Sequence, residues 1–362
     1  MKRGGGEGGA VLQIVTGLGV GGAERVVLEL ATRLQKEGYR PIVVSLGSQD
    51  GILSQYPELS VPVHTLVMKK NPWSFLRGCA QIVRLARREG ARVLHAHMFH
   101  SLVVAVACRL LLPGSRVVFT SHSFSGFSPL RSVLINLTKG VRDADVVFSS
   151  RQHVSFNCAR TAVIPNGVAL PGEGAETVDP REGGRVFLFV GRLERPKNPV
   201  ALVQAFSRMR HRDCELWMVG DGSLRGEVTR AIAECGVGDR VRLLGVRGDV
   251  PSLMQGADCF VMSSLWEGLP MVILEAGAAG IPVVAPPVGA IPEILGDGCG
   301  FLAEPGLLEG ALDEVLDDYQ EARRRGNRLR EKVAGKYSLE GMARAHAALY
   351  DGVSAAPFAA AR

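Results

Sequence analysis

The chain lacks several things that would assign it quickly to a class. No two of its seven cysteines form a C-x-x-C pair. An odd count without a framework fits a reducing compartment better than a disulfide-stapled secreted domain. No segment reaches the roughly 18 apolar residues that a spanning helix needs. The longest candidate, Leu102 to Leu112, is broken by Arg109. Lys2 and Arg3 lead into glycines rather than an apolar run, so no secretory leader is expected. His95 and His97 have ligand-like spacing, but no third ligand of matching context accompanies them, so no metal is expected.

What is present is a folded, two-domain composition. The 362 residues are 46% hydrophobic and 22% charged, which excludes extensive disorder and exceeds one ordinary core. Net charge is +6, with +11 carried by residues 1–170 and −5 by the rest. The first half is thereby suited to an anionic partner or surface.

Strand and helix patterns alternate. Val11 to Val15 precedes a glycine loop and a helix over 23–36, whose Val26, Val27, Leu30 and Leu34 form one stripe. Strands are expected at Pro41 to Leu46, Val93 to His95, Val117 to Phe119 and Asp145 to Ser149. Pro171, Gly172, Gly174, Pro180, Gly183 and Gly184 then mark a linker over 171–184. The rhythm restarts with Val186 to Val190 and continues through four more strands to Pro282–Val284. The expected domains are 1–170 and 185–337, with 338–362 returning a helix to the first. This is an α/β chain with doubly wound, mostly parallel sheets, whose ligands bind beyond the strands' carboxyl ends.

The unusual residues cluster at those ends. Gly17-x-Gly19-x-x-Gly22 lets backbone approach a ligand at a helix start. Dinucleotide binding would want an acidic residue closing the next strand, which instead ends Ser45-Leu46-Gly47-Ser48. His122 follows a strand, where it could position or polarise a substrate or simply satisfy a local backbone group. Arg192 and Lys197 place two cations after Val186–Val190, where they could stabilise a departing diphosphate without Mg²⁺. Glu267 and Glu275 form an E-x7-E pair, with Glu275 inside an apolar helix. A ribose diol would satisfy such a carboxylate, and amides at Gly268 and the helix start would meet a phosphate.

In this order and spacing, these motifs resemble the family 4 retaining glycosyltransferases of the GT-B fold. The resemblance also rests on Gly21-Gly22-Ala23-Glu24, His95-Ala96-His97, Ile164-Pro165-Asn166-Gly167-Val168, Gly220-Asp221-Gly222 and Val288-Gly289-Ala290-Ile291-Pro292-Glu293. It implies two Rossmann-like domains facing each other across a cleft. It gives the donor diphosphate to Arg192 and Lys197 and the ribose to Glu275. Glu267, Gly268 and Leu269 would meet donor sugar and phosphates, with Gly22 and Asn166 as further donor contacts. His122 and Glu267 stand as the catalytic candidates. No cofactor is implied, only a nucleotide diphosphate sugar, UDP before GDP. The family often has paired glycines where this chain has Gly289-Ala290.

The implied setting is cytoplasmic, with a saccharide or lipid-linked acceptor, in cell-envelope or exopolysaccharide synthesis. Residues 68–92 add a candidate surface for anionic membrane at its inner face. There Lys69, Lys70 and five arginines stand beside Trp73, Phe75, Leu76, Ile82, Val83 and Leu85. The competing readings are a sugar-nucleotide epimerase of the same architecture, a NAD-dependent oxidoreductase and an inactive binding module.

Overall fold

The computed structural model describes residues 9–19, 21–47, 51–122, 129–149, 160–170 and 184–352. The expected linker over 171–184 except Gly184, Asp50, Ser123, Phe124 and both chain ends lie outside these. The chain divides into two compact units, Met1–Gly167 with Leu339–Arg362, and Val168–Ser338.

The first unit runs β1 (Ala10–Val15), α1 (Gly22–Lys36), β2 (Arg40–Ser45), β3 (Val63–Thr65), α2 (Pro72–Glu89), β4 (Val93–His97), α3 (Phe99–Arg109), β5 (Arg116–Thr120), α4 (Pro129–Leu137), β6 (Ala144–Val147) and β7 (Thr161–Val163). All its strand pairs are parallel, in the order β3-β2-β1-β4-β5-β6-β7. β1 and β4 are buried at every position, as central strands covered on both faces must be. The stripe expected on α1 is the buried one. α2 is delimited by its own residues. Asn71 accepts from the Ser74 amide at 2.8 Å, Pro72 opens the helix, and Gly90 closes it at φ 64.

The second unit runs β8 (Arg185–Val190), α5 (Pro199–Arg208), β9 (Cys214–Val219), α6 (Arg225–Glu234), β10 (Val241–Gly245), α7 (Val250–Gln255), β11 (Cys259–Val261), α8 (Met271–Ala279), β12 (Val283–Ala285), α9 (Ile291–Leu295), β13 (Phe301–Leu302), α10 (Leu308–Asp317) and α11 (Tyr319–Lys336). Its sheet is also parallel, ordered β10-β9-β8-β11-β12-β13. α8 lies against α11 so closely that a Cβ on Gly277 would come within 2.8 Å of Leu329 and Val333. Beyond Ser338 the chain enters α12 (Leu339–Tyr350), which belongs to the first unit. There Tyr39 donates from its hydroxyl to the Ala347 carbonyl at 3.1 Å, and Arg116 to that of Tyr350 at 3.0 Å.

In both sheets the strand order reverses beside the first strand, between β1 and β4 and between β8 and β11. Such switch points are where open α/β sheets bind ligands. Two sequence expectations need adjustment. β4 extends beyond His95 through His97, so His97 also lies in the strand rather than after it. Three short edge strands, β3, β7 and β13, were not foreseen, because two or three residues carry no readable alternation.

Candidate active site

In the second unit, three loops meet beyond β8, β9 and β11. The first, residues 191–198, carries Arg192 and Lys197. Its backbone is fixed by neighbours: Gly191 N–H donates to the Val219 carbonyl at 3.0 Å and Leu193 N–H to that of Asp221 at 2.9 Å. The fit is tight enough to require glycine opposite. A Cβ on Gly220, at φ +127, would fall 2.0 Å from the Gly191 carbonyl oxygen. Arg192 is exposed, and among the described residues its guanidinium makes no hydrogen bond or ion pair with protein. Next to it, Ser223 donates to Glu194 from its amide at 2.9 Å and its hydroxyl at 2.7 Å. These bonds, and then the Arg192 charge, hold the Glu194 carboxyl below its usual range.

Lys197 and Glu267 come together directly. Lys197 Nζ lies 2.5 Å from Glu267 Oε1, and the Ser264 hydroxyl donates to the same oxygen at 2.6 Å. Both side chains are largely shielded, at 19% and 10% exposure, so their mutual neutralisation counts for more than that of a surface pair. The Ser263 hydroxyl bonds the carbonyls of Lys197 at 2.8 Å and Asn198 at 3.0 Å, tying this loop to the first. On the other side, Gly289 at φ +58 packs so that a Cβ would sit 2.3 Å from the Glu267 carbonyl oxygen. Ala290 N–H donates to the Gly268 carbonyl at 3.1 Å. Only the first residue of Gly289-Ala290 therefore needs to lack a side chain, and Ala290 is accommodated in the core.

Gly268 and Leu269 follow Glu267 into α8, whose amino terminus has no side-chain cap and so offers backbone N–H groups to an anion. Glu275 lies half-buried on the same helix, one residue beyond the buried Ile273 and Leu274. The structure thus brings Lys197 and Glu267 together beyond β8 and β11, with Arg192 on the same loop as Lys197 and with Gly268, Leu269 and Glu275 on the loop and helix that follow Glu267.

The first unit holds the other candidates. Gly22 opens α1, again without a side-chain cap, and is exposed. Asn166 is buried in the loop after β7, beside Gly167, whose amide points to Met342 Sδ at 3.2 Å. His122 lies two residues past β5 at the rim of a buried polar cluster. Its Nε2 is 3.1 Å from His97 Nδ1. His97 Nε2 is 2.7 Å from Gln13 Oε1, and Gln13 Nε2 donates to the Tyr350 hydroxyl at 3.1 Å. Tyr350 in turn lies 2.6 Å from His95 Nδ1, while His95 Nε2 lies 2.7 Å from the Thr120 hydroxyl. Each ring nitrogen of His95 and His97 therefore has a hydrogen-bonding neighbour, and neither ring presents a lone pair to a shared metal. Among the described residues no group of three His, Cys, Asp or Glu could hold one.

Burial, and then the His346 charge, push the His122 imidazole down to about 4, so it is neutral near pH 7. Burial lowers His346 to about 4 as well, and holds His95 and His97 well below the usual imidazole range. Immediately after His97, Met98 adopts φ 72, ψ 169, a region that costs a non-glycine residue about 1–3 kcal/mol. Gln13, Thr120, His346 and Tyr350 were not anticipated. The available signals were a glutamine inside an apolar strand and a His/Tyr pair four apart on one helix.

The chain matches the family description "Glycosyltransferase Family 4" over residues 20–170 and "Glycosyl transferases group 1" over residues 175–332. It belongs to the family 4 glycosyltransferases. It is 26% identical to N-acetyl-alpha-D-glucosaminyl L-malate synthase of Bacillus anthracis, over 91% of this chain and 94% of that one. It is also 26% identical to the Escherichia coli UDP-Gal:alpha-D-GlcNAc-diphosphoundecaprenol alpha-1,3-galactosyltransferase, over 82% and 85%. Anabaena HepE in complex with UDP superposes with a TM-score of 0.83 at 21% identity, over 96% of this chain and 100% of that one. The two parallel-sheet units are those of the GT-B fold, and this family 4 member is a glycosyltransferase. The epimerase alternative finds no support in these comparisons.

Proposed function

We propose that this family 4 enzyme transfers a sugar from a UDP-sugar to a saccharide or lipid-linked hydroxyl with retention of anomeric configuration and without a metal. The observation that carries this reading is the cluster at the β8/β11 switch point. Arg192 offers an exposed guanidinium fork for diphosphate oxygens, and the Lys197 ammonium retains two further N–H donors beside Glu267. Fixed cations of this kind neutralise charge as it develops on the leaving group. Glu275 is assigned to the ribose hydroxyls, and Gly268, Leu269 and the α8 amino terminus to phosphate and sugar. Gly22 and Asn166 are assigned to donor contacts from the first unit, and His122 to the donor sugar.

In the retaining course, the bond from the anomeric carbon to the phosphate oxygen breaks while the acceptor oxygen bonds to the same face. The acceptor proton passes to the departing phosphate. UDP is favoured over GDP because UDP stands in the names of the galactosyltransferase relative and the HepE complex. Cell-envelope or exopolysaccharide synthesis is the favoured setting, since the E. coli relative's name specifies a diphosphoundecaprenol-linked acceptor.

Contact with an anionic membrane is part of the proposal, in revised form. Ile82 and Val83 are buried, and Phe75 and Leu85 pack against the first unit's core, so these four serve the fold. Trp73 and Leu76 remain 81% and 59% exposed, beside exposed Lys69, Lys70 and Arg77. No described helix is long and apolar enough to cross a membrane.

Thermal-shift binding with UDP, GDP, ADP and NAD, on the wild type and Glu275→Ala, tests the donor site. A shift with UDP that the variant loses is expected. A shift with NAD alone, or one indifferent to Glu275, would remove the assignment. Proton NMR of the transferred sugar's anomeric signal tests retention.

A further inference from the structure

The buried polar cluster in the first unit has a direction, and that direction reaches His122. A carboxamide oxygen only accepts hydrogen bonds, so His97 must donate to Gln13 Oε1 from its Nε2, 2.7 Å away. His97 is neutral, so its Nδ1 is then an acceptor, and the hydrogen in the 3.1 Å contact with His122 must sit on His122 Nε2. Gln13 Nε2 donates to the Tyr350 hydroxyl at 3.1 Å, and because that hydroxyl can donate as well as accept, this amide orientation stands on Tyr350 directing its own proton to His95. Tyr350 can pass its own proton to His95 Nδ1 at 2.6 Å, and His95 can donate from Nε2 to Thr120 at 2.7 Å. These side-chain groups come from β1, β4, β5 and α12, and among the described residues no carboxylate or cation hydrogen-bonds to them. Among the described residues, His122 Nδ1 makes no hydrogen bond.

We infer that Tyr350, Gln13 and His97 are positioning residues that lock His122 in the Nε2–H tautomer, so that it meets the donor sugar as a hydrogen-bond acceptor through Nδ1. This rests on the reading of His122 as a sugar contact. It adds that the partner is a hydroxyl group, because a neutral Nδ1 lone pair repels phosphate and carbonyl oxygens. It also gives α12 a role: the last helix carries the hydroxyl that orients a strand glutamine three groups away from the sugar.

The test is a long-range ¹H–¹⁵N correlation spectrum of histidine-labelled full-length protein at pH 7, with His122 assigned by comparison with His122→Gln. A bare Nδ1 and a protonated Nε2 are expected at His122. A proton on Nδ1 in the wild type would overturn the inference. Tyr350→Phe removes one hydroxyl and lets the Gln13 amide turn. It should show both His122 tautomers and lower kcat about tenfold, the weight of one hydrogen bond, with donor KM within about twofold. Leu349→Ala destabilises the same helix without touching the chain of bonds and should leave tautomer and kcat unchanged. An unaltered His122 spectrum and kcat in Tyr350→Phe, or equal losses in Leu349→Ala, would reduce Tyr350 to a packing role. Should Tyr350→Phe fail to fold, the wild-type spectrum decides by itself. The spectral readout is independent of turnover, so it stands even if no UDP-sugar is used and the donor assignment fails.

Discussion

The two units share a sheet order around their switch points but place opposite chemistry there. In the second unit the site is charged, made of local loops and braced by glycines whose neighbours leave no room for a Cβ. In the first it is uncharged, buried, and assembled from side chains up to 337 positions apart, as between Gln13 and Tyr350. Charges at loop ends can meet a polyanion as soon as it arrives. Neutral imidazoles in a desolvated cluster instead fix orientation, because burial removes their charge and leaves only directional bonds.

The sharpest way to break this division of labour is to remove the exposed cation. Arg192→Ala should lower kcat/KM for the donor about 10²- to 10³-fold, as loss of one fixed charge-stabilising donor does. Arg192→Lys should recover only part of it, since an ammonium lacks the fork. If His122→Ala produced the larger loss in the same assay, the roles of the two units would be reversed.

Acid should separate the units next. His122 and His346 fall to about 4 when folded, against 6.5 for a free imidazole. The unfolded chain therefore binds protons that the folded first unit refuses, and that unit loses stability as pH drops from 6.5 towards 4. In the second unit the Arg324 hydrogen bond, and next that of Arg328, lower Glu321 to about 2. That contribution is complete above pH 4.5 and disappears only as pH falls towards 2. Hydrogen exchange at pH 5, corrected for intrinsic rates, should show β4 and β5 opening before β8 and β9. Simultaneous opening would contradict the distinction.

The glycine bracing of the second site predicts a smaller effect on stability. Gly220→Ala should cost about 2–4 kcal/mol and lower Tm by roughly 5–10 °C, because backbone strain and a carbonyl clash coincide there. Gly248→Ala, where a Cβ meets nothing within 4 Å, should change Tm little. Smallest of all, Trp73→Ser with Leu76→Ser should move stability by no more than about 0.5 kcal/mol. The same pair should weaken co-sedimentation with anionic vesicles, and unchanged sedimentation would remove the membrane proposal.

Legibility followed the same divide. Arg192, Lys197, Glu267 and Glu275 stood out because each motif is continuous and follows an apolar strand. The Lys197–Glu267 ion pair did not, since 70 residues separate its members. His95 and His97 were visible as a pair, yet their spacing resembled that of ligands when their partners are Gln13, His122, Tyr350 and Thr120. Ile82 and Val83 looked like part of a membrane face until the packing of α2 placed them in the core.

The sequence by itself determined the alternation of the longer strands with helices, the two-part division and the chemical character of the strand-end loops, because periodicity and turn residues act over a few positions. Tertiary structure decided which polar groups meet, which apolar residues stay exposed and which way the Gln13 amide points. Those outcomes depend on elements remote in the chain, and on burial, which sets the charge of a histidine more strongly than its neighbours in sequence do.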